Sequence, residues 1–225
     1  MAPHPIVVQL PRPYVDNDEL QQYVRKIKEV RLKALASDPG SFSSSLAMEI
    51  DQPINFWTTR LTHPEVRHFV AYLPETNGSM AEEPFKSQFL ATLVLFGPRT
   101  IDLNTFMDDM SWKHFGDGSP KPPQQSLEGS HLMYYISAVY VDSDFRRQGI
   151  GRSLSIEAIV TIKAEAIKEH AASAVLMIAA EQNNTSAVKL YENLGWKQVT
   201  IDRFTAKDGR QIVGVQMRLD LMEFQ

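Results

Sequence analysis

The spacing of apolar residues changes along the chain, and each change marks a new element. Residues 6–10 form a short apolar run closed by Pro11 and Pro13, which predicts a first strand. Leu20, Tyr23, Val24, Ile27, Val30, Ala34 and Leu35 then recur at helical spacing. Asp16 suits the N-cap of that helix, with Glu19 three residues on as in a capping box, and Asp38-Pro39-Gly40 ends it. A polar linker over 41–45 holds one aromatic, Phe42, before a second helical segment over 53–61 that carries Phe56, Trp57 and Arg60. Strands follow over 66–73 and 89–96, joined by a turn-rich stretch containing Asn77-Gly78. The second of them is apolar almost throughout, so it is expected to be buried on both faces.

Residues 97–130 interrupt this rhythm, and a connection of that length is uncommon unless it is functional or disordered. Its front half has amphipathic content (Phe106, Met107, Met110, Trp112, Phe115) and is expected to form a short docked helix. Its rear half, 116–129, is rich in glycine, proline, serine and glutamine and is expected to be mobile. Next come a strand over 132–141, a turn, a helical segment with Leu154, Ala158, Ile159 and Ile162 on one face, and a buried strand over 174–180. Strand, helix and strand make a βαβ unit, so the two strands should be parallel with a right-handed crossover. Asn184 or Thr185 can cap a further helix to about Leu194; Gly195 suits its left-handed end and Trp196 the apolar contact beyond. Strands over 196–204 and 212–219, joined at Asp208-Gly209, complete the pattern. The expectation is an α/β (α+β) fold: one domain over 1–225, with a mixed central sheet of about seven strands flanked by helices. The insertion at 97–130 falls between the third and fourth strands.

Chemistry concentrates at the turn after residue 141. Asp142-Ser143-Asp144 breaks the strand, and Arg146-Arg147-Gln148-Gly149-Ile150-Gly151-Arg152 leads into the helix. A helix N-terminus leaves backbone N–H groups without intrahelical partners, and its dipole favours an anion. Glycine lets an anion approach that backbone, and arginine adds donors suited to phosphate oxygens. The bland alternative is a tight turn with solvated arginines. The turn is neither a Walker loop, since no Gly-Lys-Ser/Thr follows, nor the three-glycine dinucleotide fingerprint.

An Arg/Gln-x-x-Gly-x-Gly/Ala turn after an apolar strand resembles the coenzyme A pyrophosphate loop of the GNAT acyltransferase superfamily. Asn184-x-x-Ala187-x-x-x-Tyr191-x-x-x-Gly195-Trp196 resembles that family's second motif. The resemblance implies an acetyl-CoA-dependent N-acetyltransferase in which a primary amine attacks the thioester directly. It implies that Val139, Tyr140 and Val141 bind the pantetheine arm through their backbone, and that Arg146, Arg147, Gln148, Gly149, Ile150, Gly151, Arg152 and Ser153 wrap the pyrophosphate. Asn184 would sit near the acyl end and Tyr191 would be the general acid. The base is less legible. Relatives place a glutamate on one of the two central strands, where this chain has Ala179 and Tyr135. Glu181 acting through water, a water chain ending at Tyr135 or Ser137, and an amine that arrives neutral all stay open. Phe42, Trp57 and Tyr135 are candidates for lining the acceptor pocket, with core packing the simpler reading of Phe42 and Trp57. The long 97–130 connection departs from the family; it either walls or covers that pocket or is a docked insertion with no contact to substrate, and both stay open. The lack of the glutamate leaves a second class of function open: a non-catalytic module that binds or senses acyl-CoA. A third, an unrelated nucleotide-binding α/β protein, lacks a convincing acidic residue past the turn.

Composition narrows the surroundings. Of 225 residues, 43% are hydrophobic and 22% charged, and the net charge is −4, so nothing argues for nucleic-acid affinity. The chain has no cysteine, which excludes disulfides, thiolate metal sites and a cysteine nucleophile. His4, His63, His68, His114, His131 and His170 form no zinc-type pair, so no metal is expected. His131, at the start of the central strand, is read as an exposed edge residue with catalysis as the alternative. Neither a signal peptide nor a membrane-spanning stretch is seen. The expected setting is the cytoplasm or the nucleus, and the expected partners are a small amine or a peptide or protein amine, with the chain a monomer or homodimer.

Overall fold

The computed structural model describes residues 4–74, 84–102, 115, 126–206 and 208–223. Its elements run β1 (Ile6–Gln9), α1 (Asn17–Ser37), α2 (Leu46–Glu49), α3 (Ile54–Thr62), β2 (Val66–Tyr72), β3 (Phe89–Ile101), β4 (His131–Val141), α4 (Ile150–Lys168), β5 (Ser173–Glu181), α5 (Thr185–Glu192), β6 (Lys197–Thr205) and β7 (Gln211–Glu223). The strands form one seven-stranded sheet in the order β1-β2-β3-β4-β5-β7-β6. All neighbours are antiparallel except β4 and β5, which are parallel as a βαβ crossover requires.

Alternation along each strand sends successive side chains to opposite faces. On one face Leu132, Tyr134, Ile136, Leu176 and Ile178 pack with Leu154, Ala158 and Ile162 of α4. On the other face Val70, Tyr72 and Tyr140 meet Tyr23, Val24, Ile27 and Val30 of α1, together with Trp57 and Leu61 of α3. Asp16 caps α1 as its sequence predicts, accepting from Glu19 N at 2.8 Å, but Glu19 Oε2 accepts from Val15 N at 2.5 Å, one residue before the cap, in place of the reciprocal capping-box bond. Arg12 clasps the end of α3, donating to the carbonyls of Leu61 at 3.1 Å and His63 at 2.6 Å.

Several features differ from the sequence reading, among them the last strand, which runs on to Glu223. The third strand does not end at residue 96. It resumes after an irregularity between Phe96 and Arg99, and Arg99, Thr100 and Ile101 pair with Met133, Leu132 and His131. The connection to β4 therefore starts at residue 102. Between the 41–45 linker and α3 lies an unexpected short helix, α2, whose Glu49 is buried. α5 ends at Glu192, two residues early, because the chain winds into a Schellman turn: Gly195 N donates to Glu192 O and Trp196 N to Tyr191 O, each at 3.0 Å. Gly195 has φ +93, a left-handed conformation that glycine adopts freely. Residues 103–114 and 116–125, which include most of the front-half helix and of the mobile rear half expected from the sequence, lie outside the described residues. Between them Phe115 is buried against Met133, Val175 and Met177.

Candidate active site

The two parallel strands part company halfway along. Register between β4 and β5 runs from His131↔Ser173 to Ile136↔Ile178 and stops. β4 continues to Val141 paired only with β3, and β5 continues to Glu181 paired only with β7. Residues 137–141 thus turn one backbone edge away from any strand. A register shift against β3 falls between Thr92 and Val94, and Ala138 there has φ +51. Such strain in a non-glycine residue is rarely kept without a functional reason.

A cavity of about 160 Å³ opens in this gap. Its floor is Tyr135 to Val139 and Ile178 to Glu181; Asn184, Ala187 and Tyr191 of α5 line one wall. Arg31 of α1 and residues 40–43 line another, and Phe204, Ile212 and Gly214 of the β6–β7 hairpin also border it. Asn184 caps α5, accepting from Ala187 N at 3.1 Å, and its amide nitrogen lies 3.4 Å from Ser41 Oγ. The cap fixes where the helix starts, and so where Tyr191 stands.

Tyr191 is only 3% exposed and stacks obliquely on Trp196, with ring centroids 5.6 Å apart. A tyrosine serving the core alone would normally have its hydroxyl satisfied. The Tyr191 hydroxyl has no hydrogen-bond partner among the described residues, and the residue faces the cavity. Burial, with a smaller push from Tyr135, holds the phenol well above its usual range. Tyr135 is also raised by burial, to about 12; a hydrogen bond from the Ala179 backbone opposes that rise and the charge of Asp202 adds to it. Both phenols therefore carry their protons at neutral pH.

Below the cavity floor, β4 leads to the turn. Gly149 caps α4 with φ +81, and a Cβ there would meet nothing within 4 Å. The N–H groups of Ile150, Gly151 and Arg152 form the free first turn, while Ser153 N is already bonded to Gly149 O at 2.9 Å. Ser153 can offer only its hydroxyl. Arg147, Gln148 and Arg152 are exposed. Arg146 departs from the expectation. Its Nε donates to Val141 O at 2.9 Å and its Nη2 to Asp38 Oδ2 at 2.5 Å, so it braces the turn against α1. Lys33 does the same from α1, bonding Asp142. These features fit a pyrophosphate: free donors, no side chain over the turn, and cations on the open side.

Of the acceptor candidates, Phe42 and Tyr135 line the cavity. Trp57 does not: it is 0% exposed inside the α1–α3 packing, with its indole N–H donating to Gln52 O at 3.4 Å. His131 is also away from the site, at the other end of β4, with Nδ1 2.8 Å from Ser173 Oγ. Glu181 does line the cavity.

Two residues escaped the sequence reading. Asp202 is 6% exposed and lies on the same sheet face as Glu181, since both pair in register with Gly214. A Cβ on Gly214 would come within 3.4 Å of the Phe204 ring. Arg31 is the other, a charged residue of α1 that the buried Glu49 on α2 holds inward. A register match across β5-β7-β6 would have found the first, but nothing local would have found the second.

Parallel strands that splay above a glycine-capped helix define a GNAT-type fold, and solved structures share it. A structure of Arabidopsis thaliana NAA60 in complex with a bisubstrate analogue superposes with a TM-score of 0.59 at 10% identity, covering 96% of this chain and 100% of that one. Salmonella typhimurium yncA with its cofactor acetyl-CoA gives 0.56 at 15% identity, covering 99% and 96%. In sequence, residues 116–196 match the Acetyltransferase (GNAT) family. The [Ribosomal protein bS18]-alanine N-acetyltransferase of Escherichia coli (strain K12) is 33% identical over 75 residues, which are 32% of this chain and 47% of that protein. The chain therefore spans about half the length of the curated relatives it matches.

Proposed function

We propose that the protein transfers the acetyl group of acetyl-CoA to a primary amine by direct attack on the thioester. The observation that carries this is the parting of β4 and β5 after Ile136↔Ile178, which leaves a backbone edge running from the cavity to the free N–H groups of α4. An amide-bearing chain can lie along that edge as an added strand, with its phosphates on the helix N-terminus. Val139, Tyr140 and Val141 hold the pantetheine, and residues 147–152 hold the pyrophosphate. Similarity to NAA60 and yncA, and to the E. coli alanine N-acetyltransferase, supports the same reading.

Bound acetyl-CoA supplies the reactive thioester: the amine nitrogen forms a bond to its carbonyl carbon, and the C–S bond breaks. Tyr191 donates its hydroxyl proton to the departing sulfur. Its raised pKa does not disqualify it, because a thiolate released into the same buried cavity is itself desolvated and more basic than in water. The amine must lose a proton. Glu181 is the carboxylate on the cavity wall and takes that proton through water. No group of three or more His, Cys, Asp or Glu among the described residues is placed to hold a metal. No described helix is long and apolar enough to cross a membrane. The cytoplasm or the nucleus is the setting we propose, which a chain without cysteine fits.

The test is release of free coenzyme A from acetyl-CoA across a panel of amines, polyamines, amino acids and peptides. Turnover with at least one amine is expected. Saturable acetyl-CoA binding with no turnover on any of them would leave the acyl-CoA-sensing reading, which the alanine at 179 in place of a glutamate favours.

A further inference from the structure

On the acyl-transfer reading, one wall of the cavity must recognise whatever carries the amine. Arg31 stands in that wall. Its Nε donates to Glu49 Oε2 at 3.1 Å and its Nη2 to Glu49 Oε1 at 2.9 Å, a bidentate clamp on a buried carboxylate. Its guanidinium carbon lies 4.8 Å from the Phe42 ring centroid, so an aromatic face holds it from the side. Glu49 takes a second cation, Arg60 Nη1, at 3.0 Å. Burial alone would raise the Glu49 carboxyl, but the two arginines bring it down to about 2. It is ionised, and the Arg31 plane is fixed before any ligand arrives.

That clamp uses two of the three guanidinium nitrogens. The third, Nη1, is buried and has no hydrogen-bond partner among the described residues. Two arginines share one carboxylate, leaving a net positive charge. Arg60 has a side chain 41% exposed, so water screens its share, whereas the Arg31 side chain is only 13% exposed. An orphaned donor on a buried cation is costly in the free protein and is relieved by an acceptor oxygen. Glu181 lines the same cavity and offers the opposite charge. A ligand that satisfies both groups carries an amine and, close beside it, an oxygen that accepts a hydrogen bond. Simple alkylamines and polyamines carry no such oxygen.

We propose that Arg31 is a specificity-determining residue: its Nη1 donates to a carbonyl or carboxylate oxygen adjacent to the reacting amine, and so selects acceptors with an α-amino-acyl group. This rests on the acyl-transfer reading. The bond anchors the acceptor on the oxygen side and turns its nitrogen toward the thioester, with Glu181 receiving the proton that the nitrogen loses.

The experiment measures coenzyme A release with matched acceptors: alaninamide, an alanine tripeptide and free alanine, against 2-aminopropane and cadaverine, which lack the oxygen. In the wild type the best oxygen-bearing acceptor should exceed 2-aminopropane in kcat/KM by about 10-fold or more, the worth of one charge-assisted hydrogen bond. Whether the tripeptide or free alanine leads identifies the source of the oxygen. Arg31→Lys keeps a cation beside Glu49 but loses the fork. It should remove that advantage chiefly through KM, bringing the oxygen-bearing acceptors down toward 2-aminopropane. Equal kcat/KM for acceptors with and without the oxygen overturns the proposal on the wild type alone, whether or not the variant folds. So does an Arg31→Lys loss of equal size for every acceptor, which would make the residue purely structural. Acetyl-CoA binding without release on any amine defeats the acyl-transfer reading first, and this proposal with it.

Discussion

At the scale of single residues, the site depends on a few groups whose surroundings set their chemistry. Tyr191 has an unpartnered hydroxyl in a buried wall, and in the proposed reaction it would protonate the departing thiolate. Tyr191→Phe removes the proton and keeps the ring on Trp196. The expected result is a fall in kcat on the order of 10²-fold with acetyl-CoA affinity retained. A variant with unchanged kcat would return Tyr191 to a packing role. Gly149 makes a different prediction. Its φ of +81 is costly for a side chain, although a Cβ there has open space. Gly149→Ala should lower stability by about 1 kcal/mol in chemical denaturation, and Gly149→Asn by less, because asparagine tolerates the left-handed region. Equal losses would show that space, not conformation, governs the position.

At the scale of elements, what sequence could reveal depended on whether the information was local. The cap at Asp16, the end of α1 before Asp38 and the Schellman turn at Gly195 follow from neighbours a few residues apart, and all three are seen. The parallel β4–β5 pair followed from the strand–helix–strand pattern. The extension of β3 to Ile101 was hidden because Gly97-Pro98 looks like a break, and pairing with Met133 and His131 carries the strand through it. Trp57 and Phe42 read alike in sequence, yet only packing decides that one fills the core and the other lines the cavity. Arg146 matched the expected loop, but Asp38, far away in the chain, claims its guanidinium. Phe115 shows how the unusual connection reaches the site. Its ring stacks on Tyr135 at 6.1 Å and 30°, and packs on Phe96 at 6.0 Å. Phe115→Ala should cost about 3 kcal/mol of stability and lower kcat by loosening Tyr135, with acetyl-CoA affinity kept. If kcat stays at the wild-type value while stability falls, the contact is packing only.

At the scale of the whole molecule, buried titratable groups make stability depend on pH. His68 is buried on β2 beside the α3 carbonyl of Arg60, and burial lowers its pKa to about 4 from 6.5. The unfolded chain binds a proton below 6.5 that the folded chain refuses until about 4, so stability falls as pH drops through that window, by about 1.4 kcal/mol per unit. Glu49 acts in a lower window: its carboxyl is held at about 2, so the ion pairs with Arg31 and Arg60 weaken as pH falls from 4.5 toward 2. Thermal unfolding followed from pH 7 to pH 3 should show the first loss near 6.5, and His68→Gln should flatten it. A profile that is level between 6.5 and 4 would mean that His68 is not held neutral.

The central claim is that the parted strands and the capped helix form one acyl-CoA site. Calorimetric titration with acetyl-CoA, beside ATP and NAD at the same concentrations, tests it most directly. Saturable binding of acetyl-CoA at one site, with no comparable heat from ATP or NAD, is the predicted result. Equal binding of all three would mean that the turn after β4 holds any phosphate, and would contradict the account.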